Sequence, residues 1–191
     1  MKRLFDILVS LAVLVVASPV ILLTAILIKA TSRGAVLHRS ERVGRGGRLF
    51  TLYKFRTMRV AAGPRVTSAG DPRITPVGRV LRRSKLDELP QLYNVLKGDM
   101  SLVGPRPEDP HYVAMYSDEQ RRVLDVRPGL TSVASIKYRN EEALLVGPDR
   151  EKIYVDTIMP DKLSAELEYL KVQSFWSDLR VLMSTVRAVL R

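Results

Sequence analysis

Two adjacent carboxylates, Asp87 and Glu88, are the residues in this sequence that most clearly suggest chemistry. They come directly before Pro90, where a helix is expected to begin, and they closely follow a basic run that ends at Lys85. Acids at a helix start are most often capping residues, because the backbone N–H groups there favour anions. Carboxylates inside a strongly basic block can instead hold Mg²⁺ beside a bound phosphate, while basic side chains bind its other oxygens. Spacing alone leaves both interpretations open.

Basic side chains on stiff or strand-like backbone form a second group of candidates. Arg106 lies between two prolines, Arg127 precedes a Pro-Gly turn, and Arg139 precedes an asparagine. A long side chain on a pre-ordered loop has little entropy left to lose when it binds phosphate, although such arginines also pair with carboxylates. In the segment YKFRTM, Lys54 and Arg56 alternate with aromatic residues on an expected strand. They would share one face, which we interpret as the ligand face.

Composition limits the chemistry that these residues can perform. The 191 residues include 31 Lys and Arg against 20 Asp and Glu, a net charge of +11, with no cysteine and two histidines. Disulfides, zinc–thiolate sites and cysteine nucleophiles are therefore excluded, and His38 and His111, isolated in the sequence, are interpreted as structural. Residues 33–85 contain fourteen basic residues and two acids, a local excess of +12. This single block predicts an anionic partner, which is nucleic acid, anionic lipid or a phosphorylated substrate.

An apolar run without a charge, residues 7–28, precedes the basic block and is long enough to cross a bilayer as a helix. Cleavage as a signal peptide is disfavoured, because the run is long and no small-residue cleavage site follows it. Ser18-Pro19 interrupts its middle, and both flanks are basic, so both ends prefer the cytoplasm. Two interpretations remain: a helix that enters, kinks and leaves by the same face, and a Pro-kinked helix that spans the membrane.

The elements that must position the candidate residues are short, and the pattern is mixed and mostly helical, without the alternation of a doubly wound sheet. Strands are expected at 36–41, 49–58 and 130–138, and a loop at 61–72. Helices are expected at 75–85, capped by Thr75, at 90–98, ended by Gly98, and at 111–124 and 162–173. Residues 178–191 predict an amphipathic helix with a stripe of arginines at 180, 187 and 191, which either lies in a membrane interface or packs on the core.

Taken together, the motifs resemble the bacterial small monotopic phosphoglycosyl transferases, the sugar-transferase family that starts glycan assembly on undecaprenyl phosphate. The matching segments are KRLFDILVS, the Ser18-Pro19 break, YKFRTM, DPRITPVGRVLRRSKLDELPQLYNVLKGDMSLVGPRP and RPGLTSVASIKYRN, which cover nearly the whole chain. The resemblance implies a re-entrant membrane helix, residues 1–32, with both ends on the cytoplasmic face of the bacterial inner membrane. Residues 33–191 would form the catalytic domain, which is α+β and mostly helical, with interfacial amphipathic helices and a small β element.

The same resemblance implies a role for each candidate. Asp87 would hold Mg²⁺ and act as the nucleophile that attacks the sugar-bearing phosphorus of a UDP-sugar and releases UMP. Polyprenyl phosphate would then take the sugar phosphate from the aspartyl intermediate, and Glu88 would assist in proton transfer or in placing this acceptor. Lys54, Arg82, Arg106 and Arg139 match family positions associated with phosphate or nucleotide binding, and Arg56 joins them as an expected substrate-binding residue through the strand face that it shares with Lys54. Anionic membrane lipid is a further expected partner, and nucleic acid becomes the least expected anionic one.

Three departures from the family pattern leave the carboxylate pair intact. Ser132-Val133-Ala134-Ser135 replaces a frequent Gly-Trp-Ala-Gln, Lys137-Tyr138 replaces a frequent Asn-Gly, and Glu166 replaces a usual Asp. The sequence therefore leaves open which nucleotide-sugar is used, and also whether the chain forms a homodimer. The rival from another class is a non-enzymatic basic adaptor, anchored by the same helix, that binds anionic lipid or nucleic acid. It accounts for the charge block but not for the adjacent pair Asp87-Glu88 or for the stiff loop of Arg106.

Overall fold

The computed structural model describes residues 1–59, 66–68 and 70–190, with side chains described as far as residue 188. Helices predominate in these ranges, and the β structure there consists of two small two-stranded sheets. The α+β, mostly helical class predicted from the sequence is confirmed. Half of the loop expected at 61–72 lies outside the described residues.

Two N-terminal helices form from the apolar run. Helices α1 (Lys2–Val16) and α2 (Ser18–Thr31) are bent by 61° relative to each other, and Ala17 lies between them. The bend occurs where the sequence predicts a break, because Pro19 tolerates only the first turn of a helix. Among the described residues, no one helix has the length and apolarity to cross a membrane, whereas the bent pair together meets those criteria.

The exposed surface of this pair is strongly apolar, while its buried side chains include polar ones. Asp6, Ser10 and Thr24 are buried against the protein. The large apolar side chains that are exposed on the two helices are Leu4, Leu8, Leu11, Val13, Val15, Val16, Val20, Leu22, Leu23, Ile26 and Leu27. In water, the apolar side chains would be favoured in the interior and the polar ones on the surface, which is the reverse of this distribution.

A β-hairpin follows α2. Strand β1 (Leu37–Val43) pairs antiparallel with β2 (Leu49–Phe55), with His38 opposite Lys54 and Ser40 opposite Leu52. The remaining elements are α3 (Pro76–Arg83), α4 (Gln91–Lys97), β3 (Ser101–Val103), α5 (Pro110–Val113), α6 (Asp118–Arg121), β4 (Gly129–Thr131), α7 (Val133–Lys137), α8 (Glu141–Leu144), α9 (Arg150–Ile153), α10 (Met159–Lys171) and α11 (Phe175–Leu190). Strand β3 pairs in parallel with β4.

Local signals in the sequence correctly locate several helix ends. Thr75 Oγ1 accepts a hydrogen bond from the Gly78 N–H at 2.9 Å and caps α3, and Gly98 ends α4 with φ +97°. The helix expected at 162–173 is confirmed as α10, which begins slightly earlier and follows directly on a π-helical turn, Tyr154–Ile158.

Two sequence predictions are wrong. The helix expected at 111–124 is divided into α5, α6 and the 3₁₀ turn Arg122–Asp125, because Ser117 and Gln120 form a capping box that starts a new helix. The strand expected at 130–138 ends at Thr131, because Ser132 accepts a hydrogen bond from the Ser135 N–H and starts α7.

The start of α1 is bound to the second half of the fold. The Arg3 guanidinium donates to the carbonyl oxygens of Val95 and Leu96, at 2.7 and 3.0 Å, in the last turn of α4. The buried carboxylate of Asp6 accepts a hydrogen bond from Ser101 Oγ at 2.8 Å, at the beginning of β3. These bonds attach the N-terminal helix to the core cluster beneath the hairpin, which includes Leu52, Leu92, Val95, Met100, Leu102 and Val103.

Candidate active site

The carboxylate pair lies on a single 3₁₀ turn, Leu86–Glu88, between α3 and α4. Lys85, which precedes it, has φ +57° and is the one non-glycine residue with a positive φ among those described. Left-handed backbone is unfavourable for lysine by roughly 1–2 kcal/mol, and such strain is concentrated at functional sites. No side chain caps the start of α4. The structure therefore gives no support to the interpretation of these acids as helix caps.

Asp87 is a buried acid, only 5% exposed, and its Oδ1 atom has no hydrogen-bond partner among the described residues. Burial, and then the charge of Glu88, raise the pKa of Asp87 to about 6, against the opposing effect of Lys54, Arg82 and Lys85. An oxygen without hydrogen-bond donors keeps its lone pairs available for a cation or an electrophile.

Glu88 has a different environment from Asp87. Arg106 Nη2 donates to Glu88 Oε1 at 2.8 Å. Burial alone would raise the pKa of Glu88, but Arg106 and then Lys85 and Lys54 outweigh it and lower that pKa. One acid is thus ion-paired and the other is not, and neighbouring carboxylates whose pKa values are driven apart are suited to different roles.

Lys54 and Arg82 complete the basic surroundings. Burial lowers the pKa of Lys54 while the nearby Asp87 raises it, and Arg82, Glu88 and Arg106 contribute further opposing effects. Arg82 donates from Nη1 to Glu142 Oε1 at 2.7 Å and from Nε to Thr57 Oγ1 at 3.1 Å. The structure thus brings five predicted residues together: Lys54, Arg82, Asp87, Glu88 and Arg106.

Strand β2 ends at Phe55, one residue before Arg56, although the Arg56 N–H still donates to the Val36 carbonyl oxygen at 2.9 Å. The Arg56 guanidinium is buried and donates to the carbonyl oxygens of Arg33 and Ser32, at 2.6 and 2.9 Å, just after α2. These contacts attach the end of α2 to the hairpin. The close approach needs Gly34, where a Cβ atom would lie 2.2 Å from Arg56 Nη1.

Substrate binding by Lys54, Arg56, Arg82, Arg106 and Arg139 stays a prediction. Arg139 forms no hydrogen bond or ion pair with its side chain in the described part of the chain. Sequence reasoning missed Glu142, the partner of Arg82, for which the only signal was an acid pair, Glu141-Glu142, shortly after Arg139.

The acids present suit a metal ion that is shared with a substrate. Within the described residues, no three His, Asp or Glu side chains are grouped closely enough to hold a metal ion on their own. Mg²⁺ in phosphate-binding sites is typically held by one or two carboxylates together with substrate phosphates. The unpartnered Oδ1 of Asp87 fits that requirement, whereas the Glu88 carboxylate already accepts from Arg106.

Comparison with known proteins identifies the family. Residues 1–191 match the family model described as bacterial sugar transferase. The chain belongs to the bacterial sugar transferase family. The resemblance recognised from its motifs is thereby confirmed.

This sugar transferase is similar to proteins that are named for reactions on undecaprenyl phosphate. It is 39% identical to the UDP-glucose:undecaprenyl-phosphate glucose-1-phosphate transferase of Caulobacter vibrioides, over 99% of the chain and 69% of that protein. It is 38% identical to the undecaprenyl-phosphate galactose phosphotransferase of Salmonella typhimurium, over 100% of the chain and 40% of that protein. An uncharacterised sugar transferase of Bacillus subtilis, EpsL, is 39% identical over 100% of the chain and 87% of its own length. The chain therefore spans less than half of some relatives and most of others.

Glu166 of the sugar transferase is another buried acid, on α10 and 3% exposed. Its Oε1 accepts a hydrogen bond from the Ala134 N–H at 3.3 Å, and its Oε2 has no partner among the described residues. Burial raises the pKa of Glu166 to about 7, against the hydrogen bonds from Ser132 and Ala134 and the charge of Lys162.

We expect Glu166→Gln to stabilise the sugar transferase at alkaline pH. Because the pKa of Glu166 is higher in the folded protein than its ordinary value of 4.5, stability is lost as pH rises from about 4.5 to about 7. The variant removes this loss, so its free energy of unfolding should exceed that of the wild type by up to roughly 3 kcal/mol above pH 7. Near pH 5 the two proteins should differ little. Thermal unfolding at both pH values measures this, with the exposed Glu168→Gln as a control, and equal pH slopes for Glu166→Gln and wild type would contradict it.

Proposed function

We propose that the chain is a phosphoglycosyl transferase that moves a sugar 1-phosphate from a UDP-sugar to polyprenyl phosphate and releases UMP. The relatives named for transfer to undecaprenyl phosphate support the substrates. The observation that carries the proposal is Asp87, a buried carboxylate with an unpartnered oxygen beside basic side chains and an ion-paired Glu88. A reaction at two linked phosphates needs such a nucleophile and such positive charge.

In the first half-reaction, a carboxylate oxygen of Asp87 bonds to the phosphorus that carries the sugar. The bond from this phosphorus to the bridging oxygen breaks, and that oxygen leaves with its electron pair as part of UMP. Sugar 1-phosphate stays on Asp87 as an acyl phosphate. Because the pKa of Asp87 is about 6, the carboxylate is mostly ionised at neutral pH and needs no base before it attacks. Lys54, Arg82 and Arg106 offset the charge on the phosphate oxygens.

In the second half-reaction, a phosphate oxygen of polyprenyl phosphate attacks the same phosphorus and Asp87 leaves as a carboxylate. The product is a polyprenyl diphosphate sugar. Glu88, ionised and oriented by Arg106, places the acceptor or takes its proton. Burial of Asp87 limits the access of water, which would otherwise hydrolyse the acyl phosphate.

We propose Mg²⁺ as the cofactor, held by Asp87 together with the diphosphate of the substrate. When bound, the ion would supply positive charge that neutralises the diphosphate and stabilises the departing UMP.

A UMP-release assay tests the proposed function. The protein in detergent micelles is incubated with a set of UDP-sugars and Mg²⁺, with and without polyprenyl phosphate. We expect about one UMP per protein without the acceptor, because the acyl phosphate accumulates, and continuous release with it. No UMP from any UDP-sugar in the presence of polyprenyl phosphate would contradict the proposal.

We also propose that α1 and α2 enter the membrane as a re-entrant pair, with both ends on the cytoplasmic face. Their 61° bend and exposed apolar side chains support this. A further argument comes from the two ends. Arg3 binds the start of the pair to α4, and Arg56 binds its end to the hairpin. Because both ends are attached to the same body of protein, a straight span would have to divide that body between two sides of the bilayer.

The membrane topology can be tested by labelling, since the chain has no native cysteine. We expect a cysteine added before Met1 and the variant Glu119→Cys, at an exposed position of α6, to react with an impermeant maleimide from the same side of the membrane. Inverted and right-side-out vesicles provide the two sides. Reaction of the N-terminal cysteine from the side opposite to Glu119→Cys would show a full span.

We propose that the protein lies on the bacterial inner membrane and contacts anionic lipid. Exposed basic residues lie in the last turn of α2 and just after it, among them Lys29 and Arg33. Helix α11 exposes Trp176 and Met183 while burying Asp178 and Val181 against the core, so one face packs and the other is available to the interface.

A further inference from the structure

The face of the hairpin that carries Lys54 also carries two polar side chains that the mechanism does not use. In the antiparallel register, His38 lies directly opposite Lys54, and Ser40 lies opposite Leu52, so all four side chains are on one face. Cβ atoms of directly opposite residues are about 4.5–5.5 Å apart. A ligand bound by Lys54 is therefore within reach of His38.

This face borders the carboxylate site from two directions. Lys54 is close enough to Asp87 for the charge of that acid to raise the pKa of Lys54. On the other side, the Val43 N–H donates to the Glu108 carbonyl oxygen at 3.0 Å, and Arg42 forms an ion pair with Asp109 at 3.4 Å. The loop that carries Arg106 thus runs beside β1, the strand of His38 and Ser40.

The fold does not use the hydrogen-bonding capacity of these two side chains. Ser40 Oγ is buried and has no hydrogen-bond partner in the described part of the chain. His38 is exposed and forms no hydrogen bond or ion pair with the described residues. A buried hydroxyl group without a partner is unfavourable, so the arrangement favours a ligand that supplies one.

The charge state of His38 indicates the kind of ligand. Partial burial, and then the charges of Lys54 and Arg42, lower the pKa of His38 below its ordinary value of 6.5, so the imidazole is mostly neutral at pH 7. A neutral imidazole and a hydroxyl group can each donate and accept a hydrogen bond, which suits sugar hydroxyl groups, whereas a phosphate favours the cationic Lys54. In a UDP-sugar, the sugar is bonded directly to the phosphate that Asp87 would attack.

We propose that His38 and Ser40 contact the sugar of the nucleotide-sugar and determine which UDP-hexose is accepted. This inference rests on the proposed function and adds the part of the site that distinguishes one sugar from another. It also gives His38 a role that its isolation in the sequence did not indicate.

The test measures kcat/KM for UMP release from UDP-glucose, UDP-galactose and their two N-acetylamino counterparts, with polyprenyl phosphate present. We expect His38→Ala to lower kcat/KM for the preferred sugar by roughly tenfold more than for the poorest one, and Ser40→Ala to act in the same direction. Arg39→Ala is the matched control, because Arg39 lies on the opposite face of β1, 5.9 Å from the Tyr53 ring centroid. It should leave the ratios unchanged. His38→Gln, which keeps a neutral donor and acceptor, should restore part of the preference.

Inhibition by UDP, which lacks the hexose, distinguishes a contact with the hexose from a contact with the phosphates. UDP should inhibit His38→Ala and wild type equally. Weaker inhibition of the variant, or an equal loss of activity with all four sugars, would place His38 at a phosphate and overturn the proposal. Unchanged sugar ratios in both His38→Ala and Ser40→Ala would also overturn it. A wild-type protein that releases no UMP from any UDP-sugar would instead contradict the proposed function.

Discussion

Asp87→Asn is expected to abolish UMP release from UDP-sugar, with a loss of about 10⁴-fold or more in kcat. The amide oxygen cannot form the acyl phosphate, while asparagine keeps the shape of the side chain. The free energy of unfolding of Asp87→Asn should rise although its activity is lost. Because burial raises the pKa of Asp87 to about 6, its charge is unfavourable to folding at pH 7, and its removal should stabilise the protein by up to roughly 3 kcal/mol. An inactive variant that is more stable than wild type separates catalysis from folding.

The measurements are UMP release, thermal unfolding at pH 7 and retention of labelled sugar phosphate on the protein without acceptor. Wild type should retain the label, and Asp87→Asn should not. Asp118→Asn, at an exposed position in the first turn of α6, is the matched control and should retain both activity and label. UMP release by Asp87→Asn at the wild-type rate would refute the nucleophile assignment. A binding adaptor of the rival class would release no UMP in any of these proteins.

Glu88→Gln changes the second acid of the pair Asp87-Glu88. It should impair turnover severely, because it removes the charge that is paired with Arg106 at 2.8 Å. It should also lower the pKa of Asp87, since the charge of Glu88 is the second largest cause of its elevation. The acid limb of the pH–rate profile would then move to lower pH, as expected if the ionised Asp87 is the attacking group.

The features that the sequence predicts well are those encoded within a few residues. Thr75 before Pro76 caps α3, Gly98 ends α4, and Pro19 locates the bend between α1 and α2, because each acts on backbone groups of its own turn. The same holds for Asp87 and Glu88, whose adjacency and basic surroundings are visible in one short segment.

The features that the sequence could not predict depend on distant partners. Arg56 binds carbonyl groups 23 and 24 residues earlier, which no alternation along β2 indicates. Strand β3 has only three residues and exists through β4 and the side chain of Asp6. The strand expected at 130–138 was interrupted by one competing cap, Ser132, whose neighbours have β-branched side chains that favour a strand on propensity alone. The unpartnered Asp87 oxygen likewise depends on burial, which adjacency does not determine.

The close contact between Gly104 and Gly129 positions the loop of Arg106 relative to β4. A Cβ atom on Gly129 would lie 2.2 Å from the Gly104 nitrogen and 2.4 Å from its carbonyl oxygen. The Gly129 N–H also donates to the Pro105 carbonyl oxygen at 2.9 Å. All of these atoms belong to the backbone, so a side chain at this position can be accommodated only if β3 and β4 separate.

Gly129→Ala is therefore expected to destabilise the protein by about 3 kcal/mol or more and to abolish activity in whatever fraction still folds. Separation of the strands displaces Arg106, which leaves the half-buried Glu88 carboxylate without its partner. Denaturant unfolding in micelles and UMP release measure the two effects. Gly70→Ala is the matched control, because no atom of the described residues lies within 4 Å of a Cβ there and its φ is not left-handed, so it should be neutral or slightly stabilising. Wild-type stability and activity in Gly129→Ala would mean that the Arg106 loop does not depend on this contact, and that Glu88 itself holds Arg106 in place.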